Sequence, residues 1–159
     1  MIQEYQVSGF RVREYEELRS TNTEAERVGW DELEDKMVIL TYKQTQGRGQ
    51  VGNHWESEPG KNISMTVVFK PRELPAGQQF AVSMVIALGA CDFISRYVAG
   101  CTVKWPNDIY VGDRKISGIL IEHSIMGRYV GGSLCGIGVN INQEHFLSDA
   151  PNPVSLFPL

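Results

Sequence analysis

The 159-residue sequence predicts a single α+β domain in which helices pack on a mostly antiparallel mixed sheet. Two observations support this fold class. Only one long segment, residues 78–98, repeats apolar residues at helical spacing, whereas strand-like runs separated by glycine-containing turns fill residues 102–141. The chain is 42% hydrophobic and 21% charged, which is typical of one domain with one core, and we assign residues 1–159 to it.

The first half of the chain combines strands with one short helix. Ser20–Thr23 offers N-capping side chains at a strand-to-helix junction, and Glu24 and Glu26 follow in the first helical turn. A long glycine-rich loop is expected over residues 47–60, because its glycines and Pro-Gly pair interrupt every regular pattern. The β-prone runs predict strands over residues 10–18, 37–42 and 63–69.

The second half of the chain predicts one amphipathic helix followed by consecutive hairpins. The helix covers residues 78–98, where apolar side chains recur at steps of three and four. Its predicted buried face consists of Phe80, Met84, Ala87, Leu88, Cys91, Ile94 and Val98. The hairpin strands, separated by Gly112-Asp113 and Gly127-Arg128, cover residues 102–105, 109–111, 115–123 and 129–141.

Composition excludes several classes of protein. Three cysteines without a Cys-x-x-Cys pair and three scattered histidines argue against a disulfide framework or a structural zinc site. A net charge of −4 provides no general field for holding DNA. No run reaches the roughly 18 continuous apolar residues of a membrane span, and the N-terminus lacks a secretory pattern, so we expect a cytoplasmic protein.

The loop Gly47–Gly52 satisfies the G-x-G-x-x-G pattern of dinucleotide-binding turns, but its context does not fit that motif. Such a turn opens a helix, whereas here Pro59-Gly60 soon follows without any helical period. The glycines still allow close approach of the backbone to a phosphate, and Arg48 can bind two oxygens in a fork. The segment therefore predicts either a phosphate-covering loop that orders on binding or an ordinary mobile surface loop.

Three further segments carry chemistry. The oxygens of Asn107 and Asp108, in a turn after Lys104, can hold Mg²⁺ together with substrate phosphates, although a structural Asx turn explains them equally well. Lys115 begins an apolar strand, where it either neutralises a reacting anion or is a solvated edge residue. Alternation places Gly118 on the face opposite Lys115 unless the strand bulges. Four glycines within residues 131–142 suggest that a flat ligand or another backbone passes close by.

Taken together, these segments resemble the biotin protein ligases in order and approximate spacing. The resemblance implies a catalytic domain with a fold similar to class II aminoacyl-tRNA synthetases. It also implies activation of biotin by ATP to biotinyl-5′-adenylate, followed by transfer to one lysine of a biotin carboxyl carrier protein with release of AMP. The motifs that carry it are Ser20-Thr21-Asn22, residues 47–55 and 104–108, Lys115-x-x-Gly118 and Gly136-x-Gly138-x-Asn140.

The resemblance assigns roles to individual positions, with Lys115 and Arg48 as the catalytic cations. Mg²⁺ would be held by Asp108 and Asn107. The biotin-binding residues would be Ser20, Thr21, Asn22, Gln44, Gly47, Arg48, Lys115, Gly118 and Gly136. The residues around ATP and the adenylate would be Gly49, Gln50, Trp55, Lys104, Asn107, Gly138 and Asn140.

The sequence departs from the family pattern in three ways. Gln50, Val51 and Asn53 occupy positions where the family often has arginines, so we expect weaker retention of the adenylate. We also expect the monofunctional type without a DNA-binding domain, and no C-terminal SH3-like domain within this chain. Family members are often dimers, which suggests a homodimer here. The alternatives are acyl transfer as in lipoate ligases or octanoyltransferases, with Cys101 or Cys135 as nucleophile, and a non-catalytic biotin- or nucleotide-binding module.

Overall fold

A computed structural model describes residues 1–148 and 152–157. Eight strands form the main sheet, and two very short strands form a separate hairpin. The helices are α1 (Thr21–Val28) and α2 (Phe80–Ser95), the latter preceded by a 3-10 turn, Ala76–Gln78. The strands are β1 (Ile2–Val7), β2 (Phe10–Tyr15), β3 (Met37–Thr41), β4 (Gly47–Arg48), β5 (His54–Trp55), β6 (Asn62–Phe69), β7 (Cys101–Lys104), β8 (Asp108–Val111), β9 (Arg114–Met126) and β10 (Tyr129–Asn140).

The main sheet runs in the order β1-β2-β3-β6-β10-β9-β8-β7. Only β2 and β3 pair in parallel, and every other neighbouring pair is antiparallel. The sheet is therefore mostly antiparallel and mixed, as the sequence predicts. Consecutive hairpins connect the last four strands, β7 to β10. Gly112, between β8 and β9, and Gly127, between β9 and β10, adopt the positive φ that these tight turns require.

Each face of the sheet carries one helix and one part of the core. Leu134 of β10 packs with Ala25 of α1, while Ile137 packs with Ala87 of α2. Residues 134 and 137 are an odd number of positions apart along a regular part of β10, so their side chains leave the sheet on opposite faces. The two helices therefore lie on opposite sides, and the face beside α1 holds the candidate site.

The face of α2 that packs on the sheet differs from the predicted one. Phe80, Met84 and Leu88 are exposed, whereas Val82 is buried together with Ala87 and Ile94. The prediction was wrong at those three positions because the helix is apolar almost all round, so spacing alone does not identify which side meets the sheet.

One segment is apolar enough to be compared with a membrane-spanning helix. Residues Ala76–Ser95 meet the length and composition of a span, with a mean hydropathy of 1.4. One such helix is weak evidence, because the core helix of a soluble protein passes the same test. The expected absence of membrane association stays a prediction.

Candidate active site

A cavity of about 600 Å³ lies on the α1 side of the sheet. The N-terminus of α1, the β4–β5 hairpin, the β7–β8 turn and the centres of β9 and β10 surround it. This volume is in the range of sites that enclose a small organic ligand. Fifteen of the predicted site residues line it: Ser20, Thr21, Asn22, Gln44, Arg48, Gly49, Gln50, Trp55, Lys104, Asn107, Asp108, Lys115, Gly118, Gly136 and Gly138.

Buried polar groups at the start of α1 form one end of the cavity. Ser20 is the N-cap, and its Oγ accepts a hydrogen bond from the Thr23 backbone N–H at 3.4 Å. The next residue, Thr21, donates its backbone N–H to Gln44 Oε1 at 2.9 Å. This capping sequence therefore anchors the helix and also places hydroxyl and amide groups at the cavity wall.

Asn22 connects α1 to two strands, β6 and β9, through its side-chain amide. The Oδ1 atom lies 2.5 Å from the Thr66 hydroxyl, and Nδ2 donates to Glu122 Oε2 at 2.8 Å. The Thr66 hydroxyl is also 2.8 Å from the Thr21 hydroxyl. Because the Thr66 hydroxyl carries one hydrogen, donation to Asn22 leaves it to accept from Thr21. Asn22 thus fixes the position of α1 over the sheet.

Three glycines form a flat floor on neighbouring strands. Gly118 of β9 pairs directly with Gly138 of β10, and the indole of Trp55 lies across this pair. A Cβ atom on Gly118 would be 2.9 Å from Trp55 Cζ3, and one on Gly138 would overlap the indole. A Cβ on Gly136 would overlap Asn22 Oδ1. These strand glycines are therefore required by close packing, as the glycine-rich pattern suggests.

Lys115 reaches the cavity because β9 contains a bulge. Tyr110 pairs with Lys115 and Ile109 pairs with Ser117, so Ile116 is an extra residue on β9. Lys115 and Gly118 consequently lie on the same face, and a Cβ on the glycine would be 3.6 Å from Lys115 Cε. In a regular strand without the bulge, the side chain of Lys115 would lie on the face opposite Gly118.

The ammonium of Lys115 lies among groups predicted for the same site. Its Nζ is 2.8 Å from Asp108 Oδ1 and 5.9 Å from the centre of a Trp55 ring. The backbone of Lys115 is fixed by the segment that follows β10, since its N–H donates to Asn152 O and its carbonyl accepts from Val154 N–H, each at 2.9 Å. The lysine is therefore held at both the backbone and the charged end.

Arg48 enters the cavity from the hairpin that covers it. Residues 47–60 contain β4 and β5, paired at Gly47–Trp55 and Arg48–His54, where the sequence predicted only a loop. The Arg48 guanidinium binds Glu26 Oε1 of α1 at 2.9 Å and Glu122 Oε1 of β9 at 2.5 Å. The hydrogen bond to Glu26 is the largest cause that raises the pKa of Arg48, so this side chain stays cationic.

The turn between β7 and β8 completes the wall. Lys104 Nζ donates to the Tyr110 hydroxyl at 3.2 Å and lies 4.5 Å from the centre of its ring. Asn107 Nδ2 donates to Ile119 O at 3.1 Å. Asp108 and Asn107 thus bring a carboxylate and an amide carbonyl to the cavity, and oxygens of this kind suit Mg²⁺.

Two predicted residues do not line the cavity. Gly47 packs closely against two residues that do line it, Gln44 and Trp55, and a Cβ on the glycine would be 2.7 Å from Gln44 Nε2. Asn140 is buried, and its Nδ2 donates to Val154 O at 3.1 Å. Asn140 therefore holds the segment that fixes Lys115, and its contact with the nucleotide stays a prediction.

Several lining residues were missed by sequence reasoning. Ser64 faces the cavity from β6, and Tyr110 does so from β8. Glu122 does not line the cavity but binds Arg48, which does. It lies four residues after Gly118 on β9, so strand alternation places both on the same face and would have indicated this glutamate. Ser148 comes from the segment after β10, whose sequence has no regular period.

Two uncharged polar atoms at the cavity are left unpaired. Within residues 1–148 and 152–157, Trp55 Nε1 and Ser64 Oγ are buried and have no hydrogen-bond partner. Buried polar groups are normally paired. Their position at the cavity wall fits a ligand that carries hydrogen-bonding groups.

Comparison with known proteins identifies the family. A model of the biotin/lipoate A/B protein ligase family matches residues 15–140. The chain is 28% identical over 140 residues to the bifunctional ligase/repressor BirA of Bacillus subtilis, covering 87% of this chain and 43% of that protein. It is 34% identical over 124 residues to the biotin–[acetyl-CoA-carboxylase] ligase of Paracoccus denitrificans, covering 77% and 51%. The chain thus spans about half the length of these curated relatives.

A solved structure shares the fold. The biotin protein ligase of Aquifex aeolicus in complex with biotin and ATP aligns with a TM-score of 0.74 at 24% identity, covering 92% of this chain and 59% of that one. At this sequence identity, the structural similarity shows a shared fold alone. It confirms the predicted α+β architecture of the ligase catalytic domain.

Proposed function

The chain belongs to the biotin/lipoate A/B protein ligase family, and on that premise we propose that it activates biotin with ATP and transfers the biotinyl group to a lysine of a biotin carboxyl carrier domain. The observation that carries this proposal is that Arg48 and Lys115 line one cavity, together with the polar group at the start of α1. A cationic end, formed by Arg48 and Lys115, and an uncharged polar end would suit a small carboxylic acid with a polar head group.

The first reaction joins two anions. A biotin carboxylate oxygen would attack the α-phosphorus of ATP, and the bond from that phosphorus to the pyrophosphate oxygen would break. Lys115 would neutralise the charge that develops on the reacting oxygens, because its ammonium has three donors and is held at the cavity by an ion pair with Asp108. Arg48 would bind carboxylate or phosphate oxygens in a fork, in competition with Glu26 and Glu122.

The second reaction transfers the acyl group. The neutral amine of the acceptor lysine would attack the carbonyl carbon of the adenylate, and AMP would leave with the electron pair of the acyl–phosphate bond. The nitrogen would lose one proton to solvent as the amide forms. No side chain of this chain needs to become acylated, since positioning and charge neutralisation suffice. Asp108 and Asn107 would hold Mg²⁺ with the phosphates, where the ion supplies further neutralisation of charge.

The geometry disfavours acyl transfer through a cysteine. Burial raises the pKa of the Cys135 thiol to about 12, and burial is also the main cause that raises the pKa of Cys101 to about 12. Neither sulfur lines the cavity. A thiol of this kind stays protonated at neutral pH and is a poor nucleophile.

The decisive experiment separates a ligase from a binding module. The chain is mixed with biotin and Mg·ATP, pyrophosphate release is measured, and a biotin carrier domain is then added and analysed by mass spectrometry. The proposal expects biotin-dependent pyrophosphate and one modified lysine. Binding of biotin without release of pyrophosphate would establish a non-catalytic module instead.

A further inference from the structure

The hairpin over the cavity is tied to a distant segment by the carboxylate of Glu56. This residue directly follows Trp55 at the end of β5. Its oxygens accept hydrogen bonds from the backbone N–H of Leu147 at 3.0 Å and of Ser148 at 2.7 Å, and from Gln143 Nε2 at 2.9 Å. One side chain therefore gathers three N–H donors from residues about 90 positions further along the chain.

Gln143 completes this connection from inside the protein. It is only 2% exposed, and its Oε1 accepts from Glu58 N–H at 3.0 Å and from Asn62 Nδ2 at 2.5 Å. The Gln143 carbonyl also accepts from the Ser155 hydroxyl at 2.6 Å. The segment 143–148 is thus anchored to β6 and to residues 152–157, so that Glu56 attaches the hairpin to a fixed support.

The charge of Glu56 is compensated by these donors. Burial alone would raise its pKa, but the N–H groups of Leu147 and Ser148 bind the ionised form and hold the pKa below its ordinary value. Among the residues that the structure describes, no lysine, arginine or histidine nitrogen lies within 4.0 Å of this carboxylate. The attachment therefore depends on oriented N–H groups.

The attachment joins two parts of the cavity wall. Ser148 lines the cavity on one side, and Trp55 covers Gly118 and Gly138 on the other. Loss of the Glu56 contacts would free the C-terminal end of the hairpin and the 147–148 backbone together. Arg48 would still be held by Glu26 and Glu122, so the hairpin would loosen at its C-terminal end while its N-terminal strand stays attached.

We propose that Glu56 is a positioning residue that keeps the hairpin closed over the adenylate and so determines how long the intermediate is retained. The proposal rests on the proposed function. Because Glu56 does not line the cavity, its effect should fall on ligand release and not on the first chemical step.

The test compares Glu56→Gln with Glu58→Gln in the whole chain. Glu58 is exposed, lies two residues away, and makes no side-chain hydrogen bond in the described part of the chain, so it is a matched control. For Glu56→Gln we expect adenylate release to accelerate about tenfold, as for loss of a hydrogen bond to a charged group. The single-turnover rate of pyrophosphate release should change less than about threefold, since no transition-state contact is removed.

A second readout does not depend on catalysis. Hydrogen exchange at the Leu147 and Ser148 amides should accelerate about tenfold in Glu56→Gln and stay unchanged in Glu58→Gln. Only the first variant removes the charge from their acceptor and replaces one of its two oxygens by an NH2 group, which cannot accept. If Glu56→Gln does not fold, Glu56→Asp replaces it. Aspartate keeps the charge, but its shorter side chain does not reach the Leu147 and Ser148 amides, so we expect the same changes in adenylate release and amide exchange.

The outcomes separate this proposal from the proposed function. A folded variant at position 56 with wild-type adenylate release and wild-type amide exchange would overturn the positioning role, as would a loss confined to the chemical step. Wild-type protein that forms no adenylate would instead refute the ligase function, whatever the exchange of Leu147 and Ser148.

Discussion

Gly118 and Gly138 face each other across β9 and β10, and the indole of Trp55 packs on both. This contact fixes the position of the hairpin that carries Arg48. The lack of a side chain at Gly118 and Gly138 is therefore as important for the shape of the cavity as Arg48 and Lys115 are for its charge.

Substitution of Gly138 should disturb the cavity. In Gly138→Ala the new Cβ overlaps Trp55, so the indole and hairpin must move. We expect the free energy of unfolding to fall by about 1–3 kcal/mol, as for other overpacked sites, and biotin affinity to fall with it. Urea denaturation and titration calorimetry measure the two effects.

Gly89→Ala is the matched control for that substitution. Gly89 lies within α2, where an added Cβ meets nothing within 4 Å. The alanine should raise the free energy of unfolding by about 0.5–1 kcal/mol through helix propensity. A Gly138→Ala variant as stable as Gly89→Ala would show that the tryptophan contact is not tight.

Added charge at position 50 should lengthen the life of the adenylate. Gln50 lines the cavity, and Gln50→Arg introduces a charge-assisted donor, so release of the adenylate should slow by roughly tenfold. Val51→Arg is the control, because Val51 is fully exposed and does not line the cavity. Equal slowing by both variants, measured by rapid filtration, would point to long-range attraction instead.

The Glu56 contacts should contribute stability only while the carboxylate is ionised. Its folded-state pKa lies below the ordinary value of 4.5, so the contribution is complete above that pH and is lost as pH falls through the folded-state pKa. The difference in unfolding free energy between wild type and Glu56→Gln should therefore shrink between pH 7 and pH 3. Urea denaturation at both pH values measures it, and a constant difference would contradict the assignment.

Neither candidate cysteine should be needed for the reaction. Cys101→Ser and Cys135→Ala should keep at least about half of the wild-type rate of pyrophosphate release, because neither sulfur reaches the cavity. Cys135 is fully buried, so alanine is the smaller disturbance there. A folded cysteine variant without acyl transfer would revive the thiol mechanism.

Much of the fold could be predicted because it is encoded locally. The strands from β7 to β10 show alternation and glycine turns within a few residues of each other. The capping residue Ser20 likewise identifies the start of α1. By contrast, the sequence does not indicate which side of α2 meets the sheet, because this helix is apolar on almost all sides. Met84, which was expected to be buried, is exposed.

The site was predictable where short motifs contain the side chains that line it. Residues such as Arg48 and Lys115 belong to such motifs, and the structure brings them to one cavity. The roles of Asn140 and Glu56 could not be read in this way. Both bind backbone from a segment without periodic sequence, Asn140 at Val154 and Glu56 at Leu147, and only the folded chain brings these pairs together.

The most direct measurement is the rate of biotin-dependent pyrophosphate release in Lys115→Ala. Lys61→Ala is the control, because Lys61 is exposed and lies outside the cavity. We expect a decrease of about 10²–10³-fold for Lys115→Ala, as for loss of a group that stabilises developing charge, with Lys61→Ala unchanged. A loss below about threefold in an otherwise active protein would contradict the role given to this lysine.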